Sequence, residues 1–217
     1  MIHFVLAATC WFSCLSVPAD TVAAVSVSQA PVLDGRVTAR EYGMPTLHFA
    51  TASGEVRVWL VRHDGFLYLA AAIPDSSFYW GDDFVVSLAP SGHSGATLSV
   101  GDRQWYLRRT LDSSVVRLVT SAAAGGWSMP GHEPPMLGTT RHGADWDVAS
   151  TSTPTGWAIE LRIREAASRP SVILPRLALR TYNDEPQGWW SWPKAPSDMP
   201  PQRVERTPSL WVSIRFQ

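Results

Sequence analysis

The sequence has few cysteines, few charges and a net charge close to zero. Both cysteines, Cys10 and Cys14, lie within the first nineteen of 217 residues, so the remaining chain has no disulfide, zinc thiolate or thiol nucleophile. Charged residues make up 17% and the net charge is -1, which argues against nucleic acid or an anionic membrane as an electrostatically attracted partner. The rest of the chain must therefore be held together by core packing, and its length suits one domain.

Known catalytic motifs are also missing. No His-Glu-x-x-His motif, Walker loop or dinucleotide fingerprint occurs, and residues 92–95 are one residue short of a nucleophile elbow. We therefore expect a protein that is not an enzyme. Two carboxylates facing each other across a cleft would make a glycosidase, and because sequence does not show their separation, that alternative stays open.

The first nineteen residues have the pattern of a secretory signal peptide. Residues 4–16 are apolar and uncharged, and residues 17–19 offer small side chains for cleavage. This predicts a mature domain of residues 20–217 that is secreted or periplasmic, monomeric and without a transmembrane segment. The alternative is an uncleaved membrane anchor, although the apolar run is shorter than the roughly 20 residues that span a bilayer.

Strand patterns recur along the chain, and no long helical pattern does. Short apolar or alternating segments include residues 56–61, 66–73, 84–88, 157–163 and 210–216. The count predicts an all-β fold, a two-sheet antiparallel β-sandwich of about nine strands. Two long Pro/Gly-rich loops, residues 122–154 and 187–208, interrupt the pattern, and loops of that length in a compact domain are commonly functional.

Aromatic residues are abundant, with eleven tryptophans, and one aromatic group adjoins carboxylates. After Asp75, residues 78–80 are Phe-Tyr-Trp, and Asp82 and Asp83 follow before another apolar segment. Aromatic rings next to carboxylates present a flat apolar face with polar anchors. Sugars, with apolar C–H faces and hydroxyl groups, are ligands of that kind. The pattern predicts a saccharide-binding surface that includes Trp80 and Asp83, while the alternative for both aspartates is a turn or a strand-edge salt bridge.

Five short motifs occur in the order found in family 9 carbohydrate-binding modules, and the mature chain resembles that family over nearly its whole length. The motifs are residues 31–35 with Glu41 and Tyr42, residues 56–75, residues 80–86, residues 156–163 and residues 190–193. The resemblance implies a DOMON-like, jelly-roll-like sandwich that binds a sugar between aromatic side chains. It also implies a non-catalytic role, which fits an accessory part in polysaccharide breakdown.

The resemblance assigns roles to four residues. Trp80 matches a platform tryptophan of the family, and Arg180 lies where the family has a polar ligand contact. Tyr106 and Arg108 fall near the family's arginine-bearing strand. We expect these side chains, with Asp83, to bond the hydroxyl groups and cover the C–H face of the ligand.

At two positions the chain departs from the family. Val86 stands where the best-known members have a carboxylate that bonds sugar hydroxyls, and no second platform tryptophan occurs in residues 197–204. The tryptophans of residues 189–192 would take its place, and we expect Trp190 or Trp192 to face the ligand. A structural calcium ion, often present in the family, would use Asp34, Asp75 and Asp83, because hard cations take several oxygen ligands.

Two further functions stay open from the sequence. DOMON-like sandwiches include haem-binding electron-transfer domains, for which Met44, Met129, Met136 and Met199 and the histidines are available as axial ligands. Without a Cys-x-x-Cys-His motif such a haem would be non-covalent. The other alternative, which Val86 favours, is a structural sandwich whose sugar site has decayed. Glu160 is central in its predicted strand, and we expect it to be a paired structural carboxylate and not a catalytic acid.

Overall fold

The computed structural model describes residues 21–77, 82–109, 115–123, 126–128, 145–165, 174–183 and 188–217. These residues form thirteen strands, one short helix, Ala39–Tyr42, and two 3-10 turns, Pro201–Arg206 and Pro208–Leu210. The strands are β1 Thr21–Ser26, β2 Leu47–Thr51, β3 Gly54–His63, β4 Phe66–Ile73, β5 Asp83–Ala89, β6 Arg103–Arg108, β7 Val115–Ala123, β8 Gly126–Ser128, β9 Trp146–Thr153, β10 Gly156–Arg164, β11 Arg176–Asn183, β12 Gly188–Trp192 and β13 Val212–Phe216. None of the described helices is long and apolar enough to cross a membrane.

The predicted all-β sandwich is confirmed, with two differences. The described residues contain more than nine strands, because short strands such as β1, β2, β8 and β12 have too few residues to show a clear alternation. The second difference is in the two Pro/Gly-rich segments that were predicted as loops. Residues 122–154 contain β8 and also β9, which pairs antiparallel with β10 and is rich in serine and threonine, so it shows no apolar alternation. The later segment was predicted as a loop from residue 187 onward. Its first part, Gly188–Trp192, is strand β12, which pairs antiparallel with β11. The predicted signal peptide lies outside the described residues.

Two sheets share strand β1. Sheet 1 has the order β8-β7-β6-β5-β11-β13-β1, with β12 also beside β11, and sheet 2 has the order β1-β3-β4-β10-β9, with β2 beside β3. Residues 21–24 of β1 pair with β13 and residues 25–26 pair with β3, in both cases parallel. The sandwich is therefore antiparallel except at β1, where one strand passes from sheet 1 to sheet 2 and joins them.

The inner faces of the two sheets form one apolar core. Leu60, Leu69 and Leu161 of sheet 2 are fully buried in the same cluster as Val86 and Leu179 of sheet 1. Complete burial of an aliphatic side chain of this size stabilises a fold by about 1.5–3 kcal/mol relative to exposure. A continuous core of this kind explains how a domain without disulfides holds two sheets together.

The outer face of each sheet is partly covered by a terminal segment. Residues 27–42 lie over sheet 2, where Tyr42 packs with Trp59 and Tyr68. Residues 195–211 lie over sheet 1, where fully buried Trp211 donates from Nε1 to the carbonyl of Val204 at 2.7 Å. The outer face of sheet 1 is therefore apolar where this cover lies.

Candidate functional site

Arg180 is the centre of a polar group on the outer face of sheet 1. Its Nη1 lies 3.4 Å from Asp83 Oδ1, and its Nε donates to Glu205 Oε2 at 2.6 Å. The guanidinium comes from β11, the two carboxylates from β5 and the first 3-10 turn, and Arg180 is only 4% exposed. Burial alone would lower the pKa of Arg180, but the charges of Asp83 and Glu205 raise it on balance. The guanidinium therefore stays charged at every physiological pH.

Two half-buried aromatic rings lie beside this guanidinium, and a third packs against one of them. The Trp189 ring lies 4.0 Å from Arg180 Cζ, and the Tyr106 ring lies 5.7 Å from it. The Tyr182 ring lies 4.6 Å from that of Trp189 at an interplanar angle of 48°. Tyr106 also donates its hydroxyl proton to Asp83 Oδ2. We call these five residues and Glu205 the Arg180 cluster.

Strand pairing explains why distant residues meet in the Arg180 cluster. Tyr182 pairs with Trp189 of β12 and with Asp83 of β5, and Arg180, two residues earlier, lies on the same face of β11. Val85 of β5 pairs with both Arg180 and Tyr106, so β6 brings its tyrosine to that face too. Three neighbouring strands and β12 thus present one continuous surface of rings around a charge.

The Arg180 cluster has the properties of a rigid recognition surface. A cation beside an aromatic face contributes about 0.5–2 kcal/mol, more as the pair is desolvated. Two carboxylates contact the guanidinium from different directions, so the Trp189 ring rests on a charge that is held at two of its nitrogens. Rings that are half buried keep an exposed part against which an apolar ligand face can lie.

The structure brings together three of the predicted ligand-binding residues, Asp83, Tyr106 and Arg180. Arg108 is directly opposite Asp83 in the β5–β6 register, and its side chain lies outside the described part of the molecule. Trp80 falls in residues 78–81, which are also outside the described residues. Asp83 thus forms a salt bridge, the alternative that the sequence left open.

Trp190 and Trp192 lie on the opposite face of β12 from Trp189. Side chains alternate along a strand, so consecutive tryptophans point to different sides. Trp192 is half buried and packs against the core between the sheets. Trp190 has its ring over Gly188, where a Cβ would come within 2.5 Å of it. The tryptophan that the Arg180 cluster contains is Trp189. Side-chain alternation separates it from Trp190 and Trp192, but only the pairing of β12 with β11 shows which side faces Arg180.

Val86 lies in the core, where it is fully buried and pairs with Leu179 of β11. A carboxylate at this position would be desolvated among aliphatic side chains, so valine suits the position in this fold. The outward-facing carboxylate of β5 is that of Asp83. The carboxylate of this strand is therefore at a different residue from the one that the family resemblance implies.

The three predicted calcium ligands lie in separate surroundings. Asp34 accepts the amide proton of Arg36 in the segment over sheet 2, Asp75 is buried and accepts the Ser77 hydroxyl at 2.7 Å, and Asp83 faces Arg180. Within the described ranges, no group of three or more His, Cys, Asp or Glu side chains is placed to hold a metal ion. The described residues thus do not bring the three aspartates together.

Glu160 is the structural carboxylate that its position in the sequence predicted. Its Oε2 accepts the amide protons of Asp34 at 2.9 Å and Gly35 at 2.6 Å, and its Oε1 accepts the Tyr42 hydroxyl at 2.7 Å. Burial raises the pKa of Glu160, although the three donors oppose the rise. This fully buried group fastens the segment of residues 27–42 to sheet 2.

Potential haem ligands are dispersed among the described residues. Met44 is 83% exposed, and Met199 packs against the outer apolar cluster of sheet 1. His93 faces the buried Asp102, with 3.3 Å between Nδ1 and Oδ1. Met129 and Met136 are outside the described residues. Met44 and Met199 therefore lie in different surroundings.

A surface cavity of about 770 Å³ lies along residues 26–41, away from the Arg180 cluster. Its lining includes Arg36 and Arg40 as well as Asp34 and Glu41, and the described residues around it include no aromatic side chain. Its charges are balanced and it has no flat apolar face. We therefore take the Arg180 cluster, and not this cavity, as the candidate site.

Two solved structures have a similar fold. A family 9 carbohydrate-binding module from Caldicellulosiruptor kristjanssonii in complex with cellotriose is 15% identical, with a TM-score of 0.58 over 91% of this chain and 93% of that one. A family 9 module from the same organism in complex with glucose is 14% identical, with a TM-score of 0.59 over 91% and 95% of the chains. No protein-family model and no curated protein matches the sequence. The chain therefore has the β-sandwich fold of family 9 carbohydrate-binding modules, which its motifs had predicted.

Proposed function

We propose that this protein is an exported, non-catalytic carbohydrate-binding module that holds a sugar or a glycan end against the Arg180 cluster. The observation that carries the proposal is the Trp189 ring, 4.0 Å from a buried guanidinium and bordered by Tyr182 and Tyr106. The similar structures, bound to cellotriose and glucose, support the same ligand class. The ligand would place its C–H face on the exposed part of the rings.

Arg180 would act by holding the rings and not by bonding the ligand itself. It is 4% exposed, its Nη1 faces Asp83, and its Nε donates to Glu205. Ligand hydroxyls would bond at the border of the cluster, where the Tyr106 and Tyr182 side chains are half buried. The described charges of the cluster, two carboxylates and one guanidinium, favour a neutral sugar over an acidic one.

The expected affinity is low, as suits a small surface. A well-placed hydrogen bond contributes roughly 1 kcal/mol net, and a few of them with one stacked ring give a total of about -4 to -8 kcal/mol. That corresponds to dissociation constants between millimolar and micromolar. Such a module would work by keeping its chain on a polysaccharide surface.

We propose that the protein catalyses no reaction itself, and the contacts of its buried carboxylates support this. Asp83 is engaged by Arg180 and Tyr106, and Glu205 is engaged by Arg180. Glu160 is engaged by Tyr42 and two amides at the other sheet. Carboxylates held in this way serve structure. The proposed export rests on the signal-like residues 1–19, and a structural calcium ion remains a prediction.

The test is calorimetric titration of the purified protein with cellotriose and glucose, beside a glycan panel. Trp189→Ala should lower the affinity at least tenfold, because it removes the ring that lies on Arg180. Trp190→Ala is the matched control, since it changes the next residue of the same strand on the opposite face. A greater loss with Trp190→Ala would move the site to the other face of β12, and a wild-type protein that binds no glycan would overturn the proposal.

A further inference from the structure

Asp82, the residue before β5, and Asp83, the first residue of β5, are both fully buried, and each faces a different arginine. Asp83 faces Arg180 on the outer face of sheet 1. Asp82 faces Arg109, with 3.5 Å between its Oδ2 and Arg109 Nη1. Arg109 follows β6 directly and is 4% exposed. Because consecutive side chains of an extended segment point to opposite sides, the two ion pairs lie back to back across the backbone.

Arg109 also holds the backbone on both sides of residues 78–81. Its Nη1 donates to the carbonyl of Asp75 at 3.0 Å and to that of Ser77 at 2.6 Å, on the segment that follows β4. Its backbone amide donates to the carbonyl of Asp82 at 2.9 Å, on the segment that precedes β5. One residue thus sets the distance between the end of a sheet 2 strand and the beginning of a sheet 1 strand.

A further contact ties this arrangement to the edge of sheet 2. Arg109 Nε donates to Ser152 Oγ on β9 at 3.2 Å. A guanidinium presents five donors in a planar fork, so it can hold several acceptors in fixed directions, which a lysine ammonium on a flexible stem cannot. The contacts of Arg109 depend on that fork, because they run to a carboxylate, two carbonyls and a hydroxyl.

We infer that Arg109 is a positioning residue for the saccharide site, an inference that rests on the proposed function. By holding the carbonyls of Asp75, Ser77 and Asp82, Arg109 sets where β5 begins. Asp83, the next residue, then meets both Arg180 and Tyr106. Arg109 itself acts from the other side of the backbone, and its effect reaches the ligand through Asp83.

The experiment compares Arg109→Lys and Arg109→Gln with the control Arg62→Gln. The control removes another arginine–carboxylate pair, in which Arg62 Nε lies 2.8 Å from Glu165 Oε1. This pair is at sheet 2. Three quantities are measured in the full chain: cellotriose affinity by calorimetry, Tm, and peptide-resolved amide hydrogen exchange over residues 74–85. Both Arg109 variants should bind at least tenfold more weakly and exchange faster in that peptide below their Tm. Arg62→Gln should lower Tm without either effect.

A second arm asks whether Arg109 acts through Asp83. In an Asp83→Asn background, Arg109→Gln should reduce the affinity by less than threefold, because the group it positions is already altered. Additive losses, restored affinity in Arg109→Lys, or unchanged exchange over residues 74–85 would each overturn the inference. If Arg109→Gln does not fold, Arg109→Lys serves for the same comparison. A wild-type protein that binds no glycan would overturn the proposed function, and the exchange data would still decide whether Arg109 holds the start of β5.

Discussion

The hydroxyl of Tyr42 donates a 2.7 Å hydrogen bond to the buried carboxylate of Glu160, and this bond joins the N-terminal segment to the centre of sheet 2. The partners are 118 residues apart in the sequence. Tyr42 is 3% exposed and Glu160 is fully buried, so neither group has water as a substitute partner. A single substitution at Tyr42 therefore tests how much this contact contributes to the stability of the fold.

We expect Tyr42→Phe to destabilise the fold by about 1–3 kcal/mol, because the Glu160 carboxylate loses a donor while it remains buried. Saccharide affinity should stay within twofold of wild type, since this contact is on the outer face of sheet 2. Urea unfolding and calorimetry on the same sample check both parts. A large affinity loss in a folded Tyr42→Phe protein would contradict the placement of the saccharide site on sheet 1 alone.

The raised pKa of Glu160 predicts a pH dependence of stability. A carboxyl whose pKa is higher in the folded state than its ordinary value of 4.5 binds more protons when the protein is folded. Its contribution to stability is therefore complete below pH 4.5 and is lost as the pH rises through the folded-state pKa. In Glu160→Gln this titration is absent. We expect the stability of wild type relative to Glu160→Gln to fall as pH is raised from about 4 to 8. Burial also raises the pKa of Asp102, but both proteins contain that group. A difference that does not vary with pH would refute the assignment.

Gly35 should not tolerate a side chain. Its φ is +80°, and a Cβ would lie 2.5 Å from Thr151 Oγ1 and 2.6 Å from the backbone carbon of Ser150. We expect Gly35→Ala to destabilise the domain by more than about 2 kcal/mol, because strain and a backbone clash add together. Gly43, with φ +68° and no atom within 4 Å of a Cβ, is the control for the conformational part alone. Thermal unfolding of both alanine variants measures the difference, and equal losses would show that the clash is relieved.

Arg180→Lys should weaken both stability and binding. A lysine has no planar face for Trp189, and it cannot hold Asp83 and Glu205 in the same directions. We expect a loss of about 1–3 kcal/mol in unfolding free energy, which is less than for removing one partner of a buried pair. The affinity for cellotriose should fall at least tenfold. Wild-type affinity in this variant, measured well below its Tm, would show that the guanidinium does not hold the rings.

Calcium should raise Tm if the predicted structural ion exists. A ligand that binds only the folded state stabilises it in proportion to the logarithm of its concentration. Melting curves with millimolar calcium and with a chelator measure this, and substitution of Asp34, Asp75 and Asp83 in turn would identify ligands. Since Asp83 already faces Arg180, Asp83→Asn should affect binding of saccharide more than binding of calcium. Identical curves with calcium and with chelator would reject the ion.

Local patterns predicted the sandwich because strand formation depends on nearby residues. Residues 56–61 and 66–73, which were predicted as strands, lie in β3 and β4, and Val58 and Leu60 are fully buried there. The same reasoning failed at β12, since five residues with three tryptophans and a glycine show no apolar alternation. Without the strand, the sequence could not tell which tryptophan faces Arg180.

The sequence by itself determined the fold class and the apolar faces of the strands. Only the tertiary structure decided which polar groups meet. Arg180 and Asp83 are 97 residues apart, and Arg180 and Glu205 are 25 apart. Arg109 reaches Asp75 and Ser152, 34 and 43 residues away in the sequence. Side-chain alternation is a local property, whereas the pairing of buried charges depends on strand order and register, which short-range patterns do not contain.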